Sequence, residues 1–156
     1  MATKPIPEGY NTVTPYLAVD DAAAAIEYYK KVFGARESVR MDGPDNTIAH
    51  AELDIGDSKI MLSDPFPQSS TKPPKELGGT SASVFMYVED VDAIVKKAVD
   101  GGATITMEVQ DQFWGDRFGS ITDPFGHSWS IATHVEDVPP EEMEERAKAA
   151  MAQMGS

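Results

Sequence analysis

Residues 16–35 read YLAVDDAAAAIEYYKKVFGA, and residues 84–103 read VFMYVEDVDAIVKKAVDGGA. Each stretch begins with the alternating side chains of a β-strand and continues with the apolar spacing of an amphipathic helix. An aspartate stands between the two parts, at Asp21 and at Asp90, where its side chain can cap the helix. The two stretches lie about 70 residues apart, a spacing that indicates two copies of one supersecondary unit.

The rest of the first half continues this pattern with glycine at the expected boundaries. Gly34 ends the predicted helix, and Gly56 makes a tight turn between two strands that alternate cleanly. The elements predicted from periodicity are a strand at 12–19, a helix at 22–33, and strands at 35–41, 48–55 and 59–63.

The second half repeats this order after an irregular stretch. Residues 65–80 are rich in Pro, Ser, Lys and Gly, and no regular element fits them. The sequence Asp-Pro-Phe-Gly at 123–126 then makes a turn before the last strand, as Gly56 does in the first half. The elements predicted are strands at 83–88, 103–109, 118–122 and 127–133, and a helix at 91–100.

Two such βαβββ modules predict an α+β fold. Paired, they would form a curved, open, barrel-like mixed sheet with helices on its convex side, followed by a C-terminal helix. The length suits one domain. The predicted organisation is a single domain at 1–156, with modules at 12–64 and 81–134, a linker at 65–80 and a C-terminal helix at 139–153.

Alternation along the strands assigns each side chain to one face of the sheet. The apolar side chains predicted to pack under the helices are Leu17, Leu53, Ile60, Leu62, Val84, Trp129 and Ile131. Those predicted on the concave face are Thr14, Tyr16, His50, Glu52, Met61, Ser83, Phe85, Tyr87, Ser128 and Ser130.

The composition indicates an acidic globular protein without thiol chemistry. The formal net charge is −13, and there is no cysteine. Phosphate binding needs clustered Lys and Arg, so nucleic acid is not an expected partner. The charge permits a cationic ligand, although solubility alone explains an acidic surface. We see no secretory signal and no apolar run long enough to span a membrane, and we expect a cytoplasmic protein.

The paired modules, their Val-x-Asp caps and the Asp-Pro-Phe-Gly-His sequence at 123–127 resemble the vicinal oxygen chelate superfamily. This is the group of glyoxalases, bleomycin resistance proteins and extradiol dioxygenases. The resemblance covers about residues 13–133. The stretches IAHAELDIGDSKIMLSD (48–64) and DQFWGDRFGSITDPFGHSW (111–129) are similar to its PhnB-like branch.

The resemblance implies a divalent metal that four strand residues hold as a Lewis acid. The corresponding positions in this chain are occupied by Thr14, Met61, Ser83 and Ser130. None of these side chains is an ordinary ligand for Zn, Ni, Mn or Fe. We therefore expect no metal at the family site and no cofactor.

His50 and Glu52 form the remaining cluster of chemically capable side chains. They stand two apart on a predicted strand, so both leave the same face. One interpretation is an acid/base or ligand-orienting pair, in which the carboxylate raises the basicity of the imidazole. The other is a hydrogen-bonded pair that helps to close the sheet.

The sequence QDQFWGDRF at 110–118 places two aromatic side chains in a loop. Phe113 and Trp114 could contact a ligand or a second subunit, and Arg117 could clamp an anion. Alternatively, Trp114 fills one end of the barrel, and Arg117 pairs with a nearby aspartate.

These observations favour a small-molecule-binding protein, with a lyase, isomerase or dioxygenase-like enzyme as the alternative. The enzyme would use a nonstandard metal site or the His50–Glu52 pair. The predicted ligand pocket consists of Tyr16, His50, Glu52, Met61, Phe85, Tyr87, Phe113, Trp114 and Arg117.

The C-terminal segment is predicted to form a helix with an apolar stripe. Such a stripe needs a partner, either the protein's own barrel or a second subunit. Because members of the superfamily that the sequence resembles commonly dimerise, we expect a homodimer. The residues of the stripe are Met143, Ala147, Ala150, Met151 and Met154.

Overall fold

The computed structural model describes residues 2–155, and within this range it contains eight strands, four α-helices and a short 3-10 helix at Pro44–Asn46. Apart from α2 and the 3-10 helix, they follow one another in the order that the repeat predicts. The strands are β1 Tyr16–Ala18, β2 Arg36–Asp42, β3 Ile48–Ile55, β4 Ser58–Ser63, β5 Ser83–Tyr87, β6 Thr104–Asp111, β7 Asp116–Thr122 and β8 Ser128–His134. The helices are α1 Ala22–Phe33, α2 Pro74–Leu77, α3 Val91–Asp100 and α4 Pro140–Met154.

The strands form two open four-stranded sheets with the same topology. The first has the order β1-β4-β3-β2 and the second the order β5-β8-β7-β6. In each sheet the first strand pairs in parallel with the last, and the other pairs are antiparallel. Two βαβββ modules of identical strand order confirm the predicted α+β class.

The chain divides into two compact units. The first unit ends at Ser81 and also includes Pro124–His127, which form the turn between β7 and β8. The second unit comprises Ala82–Asp123 and the chain that follows His127.

Equivalent aspartates cap the N-termini of α1 and α3, as predicted. An Asp21 carboxylate oxygen accepts from the Ala24 amide at 3.0 Å, and an Asp90 oxygen accepts from the Ala93 amide at 3.1 Å. Gly34 ends α1 in the left-handed conformation, with φ of 67°. These contacts satisfy backbone groups that a helix terminus otherwise leaves unpaired.

A second, tertiary contact also holds the first N–H of each helix. In the first unit, the buried Asp64 accepts from the Ala22 amide at 3.0 Å and from the Ile48 amide at 2.7 Å. In the second unit, the Thr133 hydroxyl accepts from the Val91 amide at 2.9 Å and donates to the Val88 carbonyl. In both units a side-chain oxygen therefore accepts from the first amide of the helix, but it belongs to a carboxylate in the first unit and to a hydroxyl in the second.

The apolar faces of the two sheets are buried at the predicted positions except Val84, which is half-buried. Leu53 and Leu62 are fully buried in the first unit, as are Trp129 and Ile131 in the second. Fully burying side chains of this size contributes roughly 1.5–3 kcal/mol each.

The first strand is shorter than the predicted 12–19. It begins at Tyr16, directly after Pro15, which cannot donate to a sheet. Val13, expected on the same face as Leu17, is largely exposed to solvent.

The stretch after β4 contains a regular element that periodicity did not predict. The four-residue helix α2 begins at Pro74, which is buried against the turn at Gly126. A Cβ on Gly126 would lie 2.8 Å from the Pro74 Cβ, and Gly126 has a φ of 90°. A side chain at this turn is therefore excluded both by space and by backbone conformation.

Among the described residues, no helix is long and apolar enough to cross a membrane.

Candidate functional site

Predicted site residues of the first unit lie on one face of its sheet. Tyr16 pairs in register with Met61, and Met61 pairs with Glu52 on the next strand. His50 stands two residues before Glu52, so its side chain leaves the same face. The sheet therefore brings together four of the five residues that alternation assigned to this face of the first module; the fifth, Thr14, precedes β1.

Three of these side chains form a hydrogen-bonded series. The Tyr16 hydroxyl lies 2.9 Å from His50 Nδ1, and His50 Nε2 lies 3.0 Å from a Glu52 carboxylate oxygen. The other Glu52 oxygen accepts from the hydroxyl of Tyr10. Sequence reasoning missed Tyr10 because it stands in the irregular segment before β1, outside any period.

Burial decreases along this series from Glu52 to Tyr16. Glu52 is buried, His50 is partly buried, and Tyr16 is 45% exposed. Lys59 lies 5.0 Å above the ring of Tyr10 and pairs with Asp54. The series thus runs from a buried carboxylate to a solvent-accessible phenol.

Residues at the family's metal positions do not form a metal-binding set. In the second unit, the hydroxyls of Ser83 and Ser130 lie 3.1 Å apart and share a network with Ser128 and Ser120. In the first unit, the corresponding positions carry Thr14 and Met61. Within residues 2–155, no group of three or more His, Cys, Asp or Glu side chains could hold a metal ion. Neutral hydroxyls and a thioether do not fit a divalent cation.

The second unit carries a cluster of five aromatic side chains in successive contact. Phe85 stacks on Phe118 with centroids 5.7 Å apart and contacts Tyr87 at 5.1 Å. Trp114 packs edge-on against Phe118 at 5.9 Å and against Phe113 at 5.1 Å. Phe85 and Tyr87 remain 49% and 62% exposed. We call these five residues the aromatic cluster; Phe118 is the member that the sequence analysis did not select.

The buried carboxylate of Asp116 holds one edge of the aromatic cluster. It accepts from the Tyr87 hydroxyl, from Trp114 Nε1 and from the His134 ring, each at 2.9 Å. Burial raises the pKa of Asp116, but the hydrogen bonds from His134, Tyr87 and Trp114 outweigh it and leave the pKa below its usual value. This carboxylate was also missed, because its partners lie far apart in sequence.

The turn that carries Phe113 and Trp114 is tied to the chain after β8. The Gly115 carbonyl accepts from the amides of Val135 and Glu136 at 2.9 and 3.0 Å. A Cβ on Gly115 would lie 2.1 Å from the Glu136 carbonyl oxygen, so only glycine allows this approach. Arg146 of α4 donates to the Phe113 carbonyl and to Glu136.

Arg117 does not join the aromatic cluster, contrary to its place in the predicted pocket. Strand alternation directs it away from the face of Asp116 and Phe118. Its guanidinium donates to both oxygens of Asp92 on α3, at 2.7 and 2.9 Å, and to Asp111 at 3.2 Å. These carboxylates raise the pKa of Arg117 and occupy the groups that an anion would need.

A separate cavity of about 350 Å³ lies in the first unit, beside residues of the predicted linker such as Phe66 and Lys72. It includes none of the side chains that the sequence analysis selected. Its lining residues are Pro65, Phe66, Pro67, Ser69, Thr71, Lys72 and Glu76.

Comparisons with known proteins agree on a single family. The model of the glyoxalase/bleomycin resistance protein/dioxygenase superfamily matches residues 9–131. The uncharacterised protein Rv0887c of Mycobacterium tuberculosis is 42% identical over 146 residues, which cover 92% of this chain and 84% of that protein.

Solved structures share the fold of this chain. TioX from Micromonospora is 31% identical, covers 80% of this chain and 99% of its own, and superposes with a TM-score of 0.64. The fosfomycin resistance protein FosX from Listeria monocytogenes, solved with Mn(II) and sulfate, is 16% identical, with a TM-score of 0.60 and coverage of 88% and 97%. At that identity, the likeness to FosX concerns the fold alone.

Proposed function

Because this chain belongs to the glyoxalase/bleomycin resistance protein/dioxygenase superfamily, we propose that it binds a small organic molecule on its aromatic cluster without the help of a metal ion. Members of the superfamily generally bind small molecules. The observation that carries the proposal is the exposure of Phe85 and Tyr87 on a sheet whose other face buries Ile121, Trp129 and Ile131.

Exposed aromatic side chains of this kind support ligand binding because they bury a large apolar area without needing to reorganise. Phe85 rests on Phe118, and Tyr87 is held by the carboxylate of Asp116. A ligand would therefore meet rings whose positions are already set, which lowers the entropic cost of binding. The neighbouring hydroxyls of Ser83 and Ser130 supply polar groups that can orient the ligand.

The donor set supports binding without a metal. The FosX structure contains Mn(II). The positions that the family resemblance assigns to metal ligands carry Thr14, Met61, Ser83 and Ser130, and hydroxyl and thioether groups bind such cations weakly. The acidic surface, with a formal net charge of −13, favours a ligand that carries a positive charge.

Native mass spectrometry of gently purified, untagged protein tests both parts of this proposal in one measurement. We expect up to one small organic molecule bound per protein chain, and no metal ion in stoichiometric amount. Stoichiometric Zn, Ni, Mn or Fe that disappears in the His50→Ala variant would support the alternative, an enzyme with a nonstandard metal site, and would contradict the metal-free proposal.

The position of the site is tested by fragment binding followed with amide NMR shifts. We expect aromatic fragments to shift the amides around Phe85 and Tyr87, and Phe85→Ser to weaken their binding about tenfold, since one buried ring contributes roughly 1–2 kcal/mol. Val99→Ser is the matched control, because Val99 is an exposed apolar residue on α3 in the same unit. Equal losses in both variants would argue against the aromatic cluster.

A further inference from the structure

The series Tyr16–His50–Glu52, in the first unit, has the connectivity of a catalytic relay. Hydrogen bonds join the Tyr16 hydroxyl to His50 Nδ1 at 2.9 Å and His50 Nε2 to Glu52 at 3.0 Å. A nucleophile, a base and a group that orients the base stand in this same order in hydrolases with serine or cysteine nucleophiles. Here the terminal group is a phenol.

The donors and acceptors define the tautomer of His50. An ionised carboxylate can only accept, so Glu52 requires a proton on His50 Nε2. In the neutral ring Nδ1 is then unprotonated and accepts from the Tyr16 hydroxyl. Tyr10 donates to the second Glu52 oxygen, which keeps this buried carboxylate from turning away from the ring. His50 is therefore oriented to take a proton from Tyr16.

The phenol is also accessible to a small molecule. Tyr16 is 45% exposed, whereas His50 is partly buried and Glu52 is buried. Val39 and Met41 pair in register with Glu52 and His50, so they share this face, and both are exposed. Two apolar side chains therefore stand on this face beside His50 and Glu52, where they can contact a small, uncharged acyl group.

We propose that Tyr16 is a nucleophile for acyl transfer from small uncharged esters, with His50 as its base and Glu52 as the residue that positions His50. In the first step, Tyr16 Oη bonds to the carbonyl carbon of the ester while its proton passes to His50 Nδ1. The bond to the leaving alcohol breaks, and the alkoxide or phenolate takes up a proton from the imidazolium. Water then attacks the acyl-tyrosine while His50 accepts its proton; the bond to Tyr16 Oη breaks, the free acid leaves, and the proton on His50 returns to the Tyr16 phenolate.

The test uses p-nitrophenyl acetate, with the acetylated residues mapped by peptide mass spectrometry at early times. Tyr87 provides an internal comparison in the wild-type protein, because it is a more exposed phenol that has a carboxylate partner instead of an imidazole. We expect Tyr16 to be acetylated at least tenfold faster than Tyr87. We expect His50→Gln to slow the acetylation of Tyr16 about 100-fold, in line with the loss of a general base.

The matched control is His127→Gln, which replaces the other imidazole of the first unit, bonded to the Ala18 carbonyl. We expect it to keep the wild-type rate, and urea unfolding verifies that each variant is folded. Three results would overturn the proposal. They are acetylation of Tyr16 no faster than that of Tyr87, an equal loss of rate in the two histidine variants, and p-nitrophenol release that Tyr16→Phe leaves unchanged.

The positioning role of Glu52 has its own spectroscopic signature. In Glu52→Gln the amide oxygen can accept from Tyr10, so the amide NH₂ faces His50 and favours the Nδ1–H tautomer. Long-range ¹H–¹⁵N spectra should show that change, together with slower acetylation of Tyr16. A slower rate in folded Glu52→Gln without a change of tautomer would contradict the positioning role.

Discussion

Asp64 accepts hydrogen bonds from the backbone of two separate elements, and no local sequence pattern predicts this role. Its two carboxylate oxygens accept from the amides of Ala22 and Ile48, which begin α1 and β3. The side chain is buried, so both amides depend on it for a hydrogen bond. In the sequence, this residue reads only as the first polar residue after a strand.

Replacing Asp64 should therefore destabilise the protein strongly. Asp64→Ala leaves two buried donors without an acceptor, and we expect the free energy of unfolding to fall by roughly 2–5 kcal/mol. Urea unfolding measures this loss. Asp20→Ala is the control, because Asp20 lies beside the same helix but makes an exposed ion pair with Lys75, worth at most about 1 kcal/mol. Similar losses in the two variants would show that the buried hydrogen bonds are not the cause.

The candidate relay presents the same contrast at the scale of single residues. Strand alternation places His50, Glu52 and Tyr16 on one face, and the structure agrees. The order of their hydrogen bonds, and the contribution of Tyr10, follow from the pairing register and from a segment without periodicity. Such contacts join residues 34 and 42 positions apart and cannot be read from spacing.

Among the elements, α1 and α3 were the most predictable. Each is defined by an aspartate cap and a helical apolar period, and the bounds Ala22–Phe33 and Val91–Asp100 are those predicted. Caps and periodicity act within one helix, so the sequence alone contains them. The strands β1 and β7 differ most in extent from the prediction, because pairing with a neighbour decides where a strand begins.

The helix α4 remains the element whose apolar stripe is least covered. Met143, Ala147 and Ala150 are half-buried, but Met151 and Met154 are 70% and 85% exposed. Arg146 ties the helix to Glu136 and to the Phe113 carbonyl. We propose that a second copy of the chain covers the exposed methionines, since members of this superfamily often form dimers.

The dimer proposal predicts a change of oligomeric state in a double variant. The double variant Met151→Glu/Met154→Glu would place two charges in the apolar contact. We expect the Kd of the dimer to rise at least tenfold, because burying a charge without a partner is unfavourable. Sedimentation velocity measures the mass. Lys148→Glu, which changes an exposed polar position of the same helix, is the control. A wild-type monomer, or a double variant that stays dimeric, would refute this arrangement.

For the whole molecule, the charged network predicts stability that falls on both sides of a maximum. Hydrogen bonds from Lys59, Arg117 and Arg146 lower the pKa values of Asp54, Asp92 and Glu136. A carboxyl group whose pKa is lower in the folded than in the unfolded state stabilises the fold when the pH is above its unfolded pKa. This contribution is lost as the pH falls through the folded pKa. Stability should therefore decrease below about pH 4, where unfolded carboxyl groups take up protons.

On the alkaline side the controlling group is His134. Its ring contacts Asp137 at 2.7 Å and Asp116 at 2.9 Å, and these hydrogen bonds raise its pKa. A histidine whose pKa is raised on folding contributes its full stabilisation when the pH is below the unfolded pKa, which is near 6.5. This contribution is lost as the pH rises through the folded pKa. We expect the urea midpoint to decline above about pH 6.5 in the wild type and to stay level in His134→Gln. Parallel declines in both proteins would assign the effect to other groups.

The sequence by itself determined the repeated βαβββ order, the capped helices, the buried faces and the family. All of these depend on interactions between residues close in the chain or on the alternation of side chains along one strand. It also determined the residue types at the positions that the family resemblance assigns to metal ligands, Thr14, Met61, Ser83 and Ser130. Their chemistry is independent of the fold.

Only the tertiary structure decided which polar groups work together. It directed Arg117 to Asp92 and away from the aromatic cluster, and it gave the buried Asp116 three donors. It also turned His50 and Glu52, a pair with two open interpretations, into a series that ends at an exposed phenol. The physical reason is that hydrogen bonds between strands depend on register, which the pairing of distant segments sets.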